Sequence, residues 1–335
     1  MTRSNQLPSS THKPSKTITP RMASTVLTRF MIISDTLGFK FKNRRKAGNK
    51  VTGNFKHPFP NCDVLLHCGN FTRLGQPNEV EQCLRMLGSI NAELKLVIAG
   101  NHEHVLDKEW WSKHKENTDD PDSPASLEYK RAVDMMTGPL AKEAGVTYLT
   151  EGLNTFKLKN GAQFTIYSSP YSPRFFDSAF AYGSAEDRFN PASAVAKGFR
   201  CIAENPMPNF PALDIVMTHG PPRKILDRKT HGNVGCETLM RAISRARPRL
   251  HCFGHVDQAY GARWVRWEED LNTIGQNAIE IVSNMANAYP QVTRSPMAFG
   301  KDTLMVNAAI GNGSGTQPTN APWLVDLDLI KAPSV

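Results

Sequence analysis

Five apolar runs in this 335-residue chain end in short loops headed by Asp, Asn or His. They are Met31-Ile32-Ile33-Ser34-Asp35, Val64-Leu65-Leu66-His67-Cys68-Gly69-Asn70, Leu94 to Ile98 followed by Ala99-Gly100-Asn101-His102-Glu103, Ile215-Val216-Met217-Thr218-His219, and Leu250-His251-Cys252-Phe253-Gly254-His255-Val256-Asp257. Asn, Asp and His ligate Mn²⁺, Fe²⁺ or Zn²⁺ through oxygen and imidazole nitrogen, and Asp and His also move protons near neutral pH. Singly, such a residue is more often a turn former, a cap or a satisfied polar group. Collectively, Asp35, Asn70, Asn101, His102, His219, His255 and Asp257 each follow a predicted buried strand. His67 and His251 lie inside the runs and read as core polar groups.

Loops at the carboxyl ends of strands are where open α/β sheets place their ligands, so the pattern predicts an α/β fold with the site at one sheet edge. Helices are expected from about residue 78 to 90, with Asn78 and Glu81 as its cap, over 126–143, and over 236–246, stopped by Pro248. Asn160-Gly161 between the alternating runs 153–158 and 163–168 predicts a β-hairpin. Further strands are read at 278–283, 303–308 and 323–327. The rigid Ser169-Pro170-Tyr171-Ser172-Pro173 loop leads to Phe175, Phe176, Phe180 and Tyr182, a set suited to lining a pocket for an organic substrate.

The net charge of +9 is concentrated at one end. Residues 1–62 hold twelve Lys/Arg against the single acid Asp35, so they carry +11 and the remaining 273 residues carry −2. A body so close to neutral is not a duplex-binding surface. No apolar run reaches membrane-spanning length and mean hydropathy is −0.41. Six scattered cysteines without a Cys-x-x-Cys read as reduced thiols, and a cytoplasmic protein is expected. Residues 1–28 read as a disordered basic tail and 29–330 as a single domain. Within it, residues 39–60 form a basic loop insertion that can attract an anionic small-molecule substrate.

Taken in order, these loops resemble the signatures of the calcineurin-like metallophosphoesterases, most closely the brain-239 (MPPED-type) branch. The matching stretches are Leu66 to Arg73, Val97 to Glu103, Ser169 to Pro173, Met217 to Pro222, Val234 to Glu237 and Phe253 to His255. The resemblance implies a four-layer αββα sandwich of two mixed sheets flanked by helices. It assigns Asp35, Asn70, Asn101, His219 and His255 to metal-ligand positions and His102 to the phosphoryl or leaving group, with Arg73 and Tyr171 as substrate contacts. Three of the seven ligand positions depart from the pattern: Leu37 stands for a His, Asn70 for the bridging Asp, and Asp257 for the last His.

Two dications about 3.5 Å apart repel by roughly 19 kcal/mol at an effective dielectric of 20, and a neutral amide at the bridge offsets little of that. A dinuclear centre is therefore disfavoured. One divalent transition metal (Mn, Fe or Zn) held by Asn101, His219, His255 and Asn70 is expected. With it, His102, Asp35 and Asp257 would act on a phosphoester or phosphodiester. Two other functions fit the same residues: metal-independent acid/base chemistry on an organic substrate by a repurposed enzyme, and nucleotide binding without catalysis.

Overall fold

The computed structural model describes residues 24–39, 59–269, 278–294, 298–311 and 318–332. In chain order the strands are β1 (Thr25–Ile33), β2 (Val64–His67), β3 (Leu94–Val97), β4 (Val146–Tyr148), β5 (Gly152–Lys157) and β6 (Gln163–Ser169). They continue as β7 (Ile215–Thr218), β8 (Leu250–Phe253), β9 (Gly261–Trp267), β10 (Ile279–Met285), β11 (Asp302–Asn307) and β12 (Trp323–Ile330). The helices are α1 (Pro77–Gly88), α2 (Lys108–His114), α3 (Pro124–Thr137), α4 (Pro139–Glu143) and α5 (Glu237–Ala246).

One sheet has the order β12-β1-β2-β3-β4, parallel except for β12. The second runs β10-β9-β11-β8-β7-β6-β5, with a parallel centre of β11, β8, β7 and β6. Strands buried on both faces have no polar alternation, which is why β2, β7 and β8 read as short continuous apolar runs. Phe30, Ile32, Leu66 and Leu96 of the first sheet face Ile166, Met217, Cys252 and Val306 of the second. The outer face of the first sheet packs on Val80, Leu84, Leu87 and Met136 of α1 and α3. That of the second packs on Leu239, Met240 and Ile243 of α5. Four layers result, α/β/β/α.

Because β1, β2, β3, β7 and β8 all end at the same edge, their following loops converge there. The sheets are stitched together at that edge: Ile310 N–H donates to Ser34 C=O (3.0 Å) and His255 N–H to the Asp35 carboxylate (2.9 Å).

Several boundaries differ from expectation for local reasons. β1 starts at Thr25, inside the expected tail, because Thr25 to Ile32 pair with β12. α1 starts at Pro77, whose ring suits the first helical position, and Glu79 rather than Glu81 accepts the Gln76 N–H (3.2 Å). Glu81 instead pairs with Arg85. The expected helix 126–143 is two helices, since Gly138-Pro139 breaks the ladder. The strand β9 was not expected, as its Arg and Trp residues mask the alternation. Residues 40–58 of the basic insertion, and 1–23 of the tail, lie outside the described residues. No helix among the described residues is long and apolar enough to cross a membrane.

His67 and His251 are fully buried, and each ring meets a threonine hydroxyl, Thr36 Oγ1 at 3.0 Å and Thr218 Oγ1 at 2.9 Å. Burial pushes both imidazoles down to about 3 from an ordinary value near 6.5. A lowered folded pKa gives stability that is present above pH 6.5 and lost as pH falls toward 3. Between pH 7 and 5 each histidine should cost about 2 kcal/mol of unfolding free energy. Urea titrations across that range should therefore show a shallower pH slope in His251→Gln than in the native chain. An unchanged slope would contradict the burial argument.

Candidate active site

Glu103 is the residue on which the site is assembled, although nothing in its sequence position beyond the Gly-Asn-His-Glu loop marks it. Its carboxylate is fully buried and accepts four hydrogen bonds. Oε2 takes the Asn70 N–H (2.9 Å) and the Gly100 N–H (2.6 Å), and Oε1 takes the Thr72 N–H (2.8 Å) and hydroxyl (2.7 Å). The loops after β2 and β3 are thereby clasped to one carboxyl group. Burial raises its pKa to about 7 against the pull of these donors.

The residues aimed into the cluster leave their strands in the left-handed region: Asp35 at φ 56°, Asn70 at 54° and His255 at 66°. Non-glycine residues there cost energy, and the contacts around them have to hold them in place. Close approach adds a second constraint. A Cβ on Gly100 would collide with Asn70 Oδ1 and stand 2.7 Å from His219 Cε1, and one on Gly254 would collide with the Asp35 carboxylate.

Hydrogen-bond chemistry fixes each side chain. Asn70 Nδ2 donates to Asp35 Oδ1 (2.9 Å), while Asn70 Oδ1 accepts the His102 N–H (3.0 Å). Neither partner tolerates the reverse orientation, so the amide is set. Its second N–H points at Asn101 Oδ1 (3.2 Å), which makes that atom the oxygen. Two imidazoles meet the same oxygen, His219 Nε2 at 2.9 Å and His255 Nδ1 at 2.9 Å. His219 Nδ1 faces the Cys68 carbonyl at 2.8 Å and must carry the proton, so Nε2 presents its lone pair. Two lone-pair atoms therefore face each other across 2.9 Å. Burial lowers the pKa of both histidines, which weighs against an extra proton on either ring.

A cation shared by Asn101 Oδ1, His219 and His255 resolves the contact, and the spacing suits one. Donors around a single ion with bonds of about 2.0–2.1 Å lie roughly 3.0–3.4 Å apart. Asn101 and His255 are half-buried, which leaves the set accessible, while His219 and Asn70 are buried. Among the described residues no three His, Cys, Asp or Glu side chains group as a metal cage. The fit rests on two histidines and an amide oxygen.

Of the expected residues, Asp35, Asn70, Asn101, His219 and His255 come together, with His102 beside them. Asn70 is not placed as a ligand: it turns N–H groups, which have no lone pair, toward Asp35 and Asn101. Asp257 makes no hydrogen bond to the other residues of the cluster. After His255 the chain enters a short 3₁₀ turn, and the Asp257 carboxylate accepts the Gln258 N–H there (2.9 Å). Tyr171 is a packing residue rather than an open contact. The Arg188 guanidinium lies 3.3 Å from its ring centroid and pairs with the buried Glu151 (2.8 Å). Phe180 and Tyr182 are buried, whereas Phe175 and Phe176 are 51% and 83% exposed, so these aromatics do not line one pocket. Arg73 is exposed at the rim, its Nε on the Leu37 carbonyl (3.2 Å).

Two facing sheets that bring an Asp, Asn and His cluster to a shared edge define a metallophosphoesterase fold. The family model for calcineurin-like phosphoesterases matches residues 28–258, and the chain belongs to that family. It is similar to metallophosphoesterase domain-containing protein 1 of Homo sapiens, 32% identical over 241 residues that cover 70% of this chain and 62% of that protein. It is also similar to probable rhamnogalacturonate lyase C of Emericella nidulans, 30% identical over 275 residues, which cover 78% of this chain and 22% of that one. The chain thus spans less than two thirds of either relative. Among solved structures, Haemophilus influenzae NAD nucleotidase aligns with 85% of this chain and 45% of its own, at 10% identity and a TM-score of 0.34.

Glu103→Gln places an NH₂ against one pair of buried donors. Unfolding in urea should show a loss of about 2–5 kcal/mol, while Asp257→Asn should stay within about 0.5 kcal/mol of the native chain. Equal stability of the two variants would contradict the clasp.

Proposed function

We propose that this chain is a phosphoester hydrolase working from a single divalent cation held by Asn101, His219 and His255. The observation that supports this reading is the pair of lone-pair atoms, His219 Nε2 and Asn101 Oδ1, fixed by their other partners at 2.9 Å. A cation bound there supplies Lewis-acid stabilisation of charge that develops on phosphoryl oxygens. His102 donates Nδ1–H to the Arg73 carbonyl (2.8 Å), which orients the ring, and in the imidazolium form its Nε2–H is the proton delivered to the departing oxygen, leaving the neutral ring. The Asp35 carboxylate, gripped by Asn70 Nδ2 and the His255 N–H (both 2.9 Å), sets a negative charge beside the imidazoles. Arg73 at the rim gives an anionic substrate a positive partner.

Asn70 also favours a second reading, metal-independent acid/base chemistry on the same fold, because its N–H groups satisfy Asp35 and Asn101 without a cation. Hydrolysis of bis(4-nitrophenyl) phosphate separates the two. The proposed hydrolase loses turnover on dialysis against EDTA and regains it with Mn²⁺ or Zn²⁺. His102→Ala should lower kcat by about 10²–10⁴ with KM changed only a few-fold. Turnover that is indifferent to chelator but lost in His102→Ala would overturn the single-cation reading in favour of the second.

A further inference from the structure

His102 is the first ring of an aromatic ladder that the hydrolytic reading leaves unused. Its ring and that of His104 are parallel to within 6°, with centroids 6.5 Å apart. His104 is backed by Trp110 (4.4 Å, 23°), and Trp110 by His114 (3.9 Å, 13°). The far end is braced, since His114 Nδ1 bonds the Trp110 carbonyl (2.7 Å) and Nε2 bonds the Asp177 carboxylate.

The two outer steps are closed at stacking distance. The step nearest the reacting centre is wider. A ring seated between two others needs about 3.5 Å on each side, or roughly 7 Å in all, which the 6.5 Å separation approaches. Local backbone sets this spacing. Glu103 lies at φ −82°, ψ 58°, and the His104 N–H donates to the His102 carbonyl (2.9 Å), an inverse γ-turn. The buried Glu103 carboxylate is clasped by four hydrogen bonds, so the turn that carries the two rings is fixed before any ligand arrives, and rotation of the imidazole side chains supplies the remaining roughly 0.5 Å. Both rings are half-buried and reachable from solvent.

We infer that His102 and His104 form a two-ring cleft that receives a planar aromatic group of the substrate, next to the bond that is broken. His104 is then a specificity-determining residue, and the preferred substrates are aryl or heteroaryl phosphoesters rather than alkyl ones. The inference builds on the hydrolytic reading, and equilibrium binding tests it without turnover.

Calorimetric titration should find phenylphosphonate bound about ten-fold more tightly than methylphosphonate. His104→Leu should remove that preference while leaving methylphosphonate affinity unchanged, and His104→Phe should retain it. Equal affinity for the two phosphonates in the native chain would overturn the cleft and leave the phosphoryl site standing, as would equal weakening of both in His104→Leu. Saturation-transfer NMR with benzyl alcohol probes the cleft by itself. Contact that is present in the native chain and in His104→Phe but lost in His104→Leu supports the cleft even where neither phosphonate binds, in which case the hydrolytic reading fails alone. Absence of contact with benzyl alcohol together with no binding of either phosphonate would overturn both.

Discussion

The Glu103 carboxylate is a charge buried in the sheet edge, and four hydrogen bonds are what make its burial tolerable. Because three of its four donors belong to the loop after β2 and one to the loop after β3, the backbone of both loops is fixed by the same group. Asn70 and Asn101 take their places from it, His102 and His104 inherit the turn centred on it, and Gly100 is required by the closeness it imposes. The second sheet contributes His219 and His255, tied to the first through the Cys68 carbonyl and the Asp35 carboxylate. The cluster is thus a product of sheet-to-sheet registration as much as of any single motif.

Within that frame, one amide carries the proposal that the edge holds a single cation. A carboxylate at position 70 would bring negative charge and lone pairs to the centre of the cluster. Asn70 brings hydrogens, directed at Asp35 and Asn101, and those hydrogens repel a cation from the Asp35 side. The consequence is asymmetric. On the Asn101 side, two imidazoles and an amide oxygen still crowd together, with the His219 Nε2 lone pair facing that of the oxygen. The family fold is retained, and in the proposed reading the chemistry is confined to the Asn101 side of the edge.

Much of this was legible in the residues alone. The α/β class and the convergence of Asp35, Asn101, His219 and His255 follow from apolar runs that each end in a polar loop, and the four-layer architecture from the family resemblance those loops carry. Other features were not legible, because they depend on which atom faces which. Spacing cannot tell an asparagine that offers oxygen from one that offers N–H, and Asn70 is the second kind. Nor can it tell that Asp257 spends its carboxylate on its own turn, or that Tyr171 lies under Arg188. Glu103 looked like the tail of a motif, since burial and its four donors are tertiary facts. The His102–His104 pair was hidden for a similar reason, as ring planes are set by a γ-turn that leaves no compositional trace.

In the proposed reading the edge holds one cation, on the Asn101 side, and Asn70 does not ligate it. Titrating metal-stripped protein with Co²⁺ and following its visible ligand-field absorption measures this directly. One equivalent should bind, lost in Asn101→Leu and in His219→Ala, and kept in Asn70→Ser. Two equivalents in the native chain, or loss of binding in Asn70→Ser with Asn101→Leu unaffected, would contradict it.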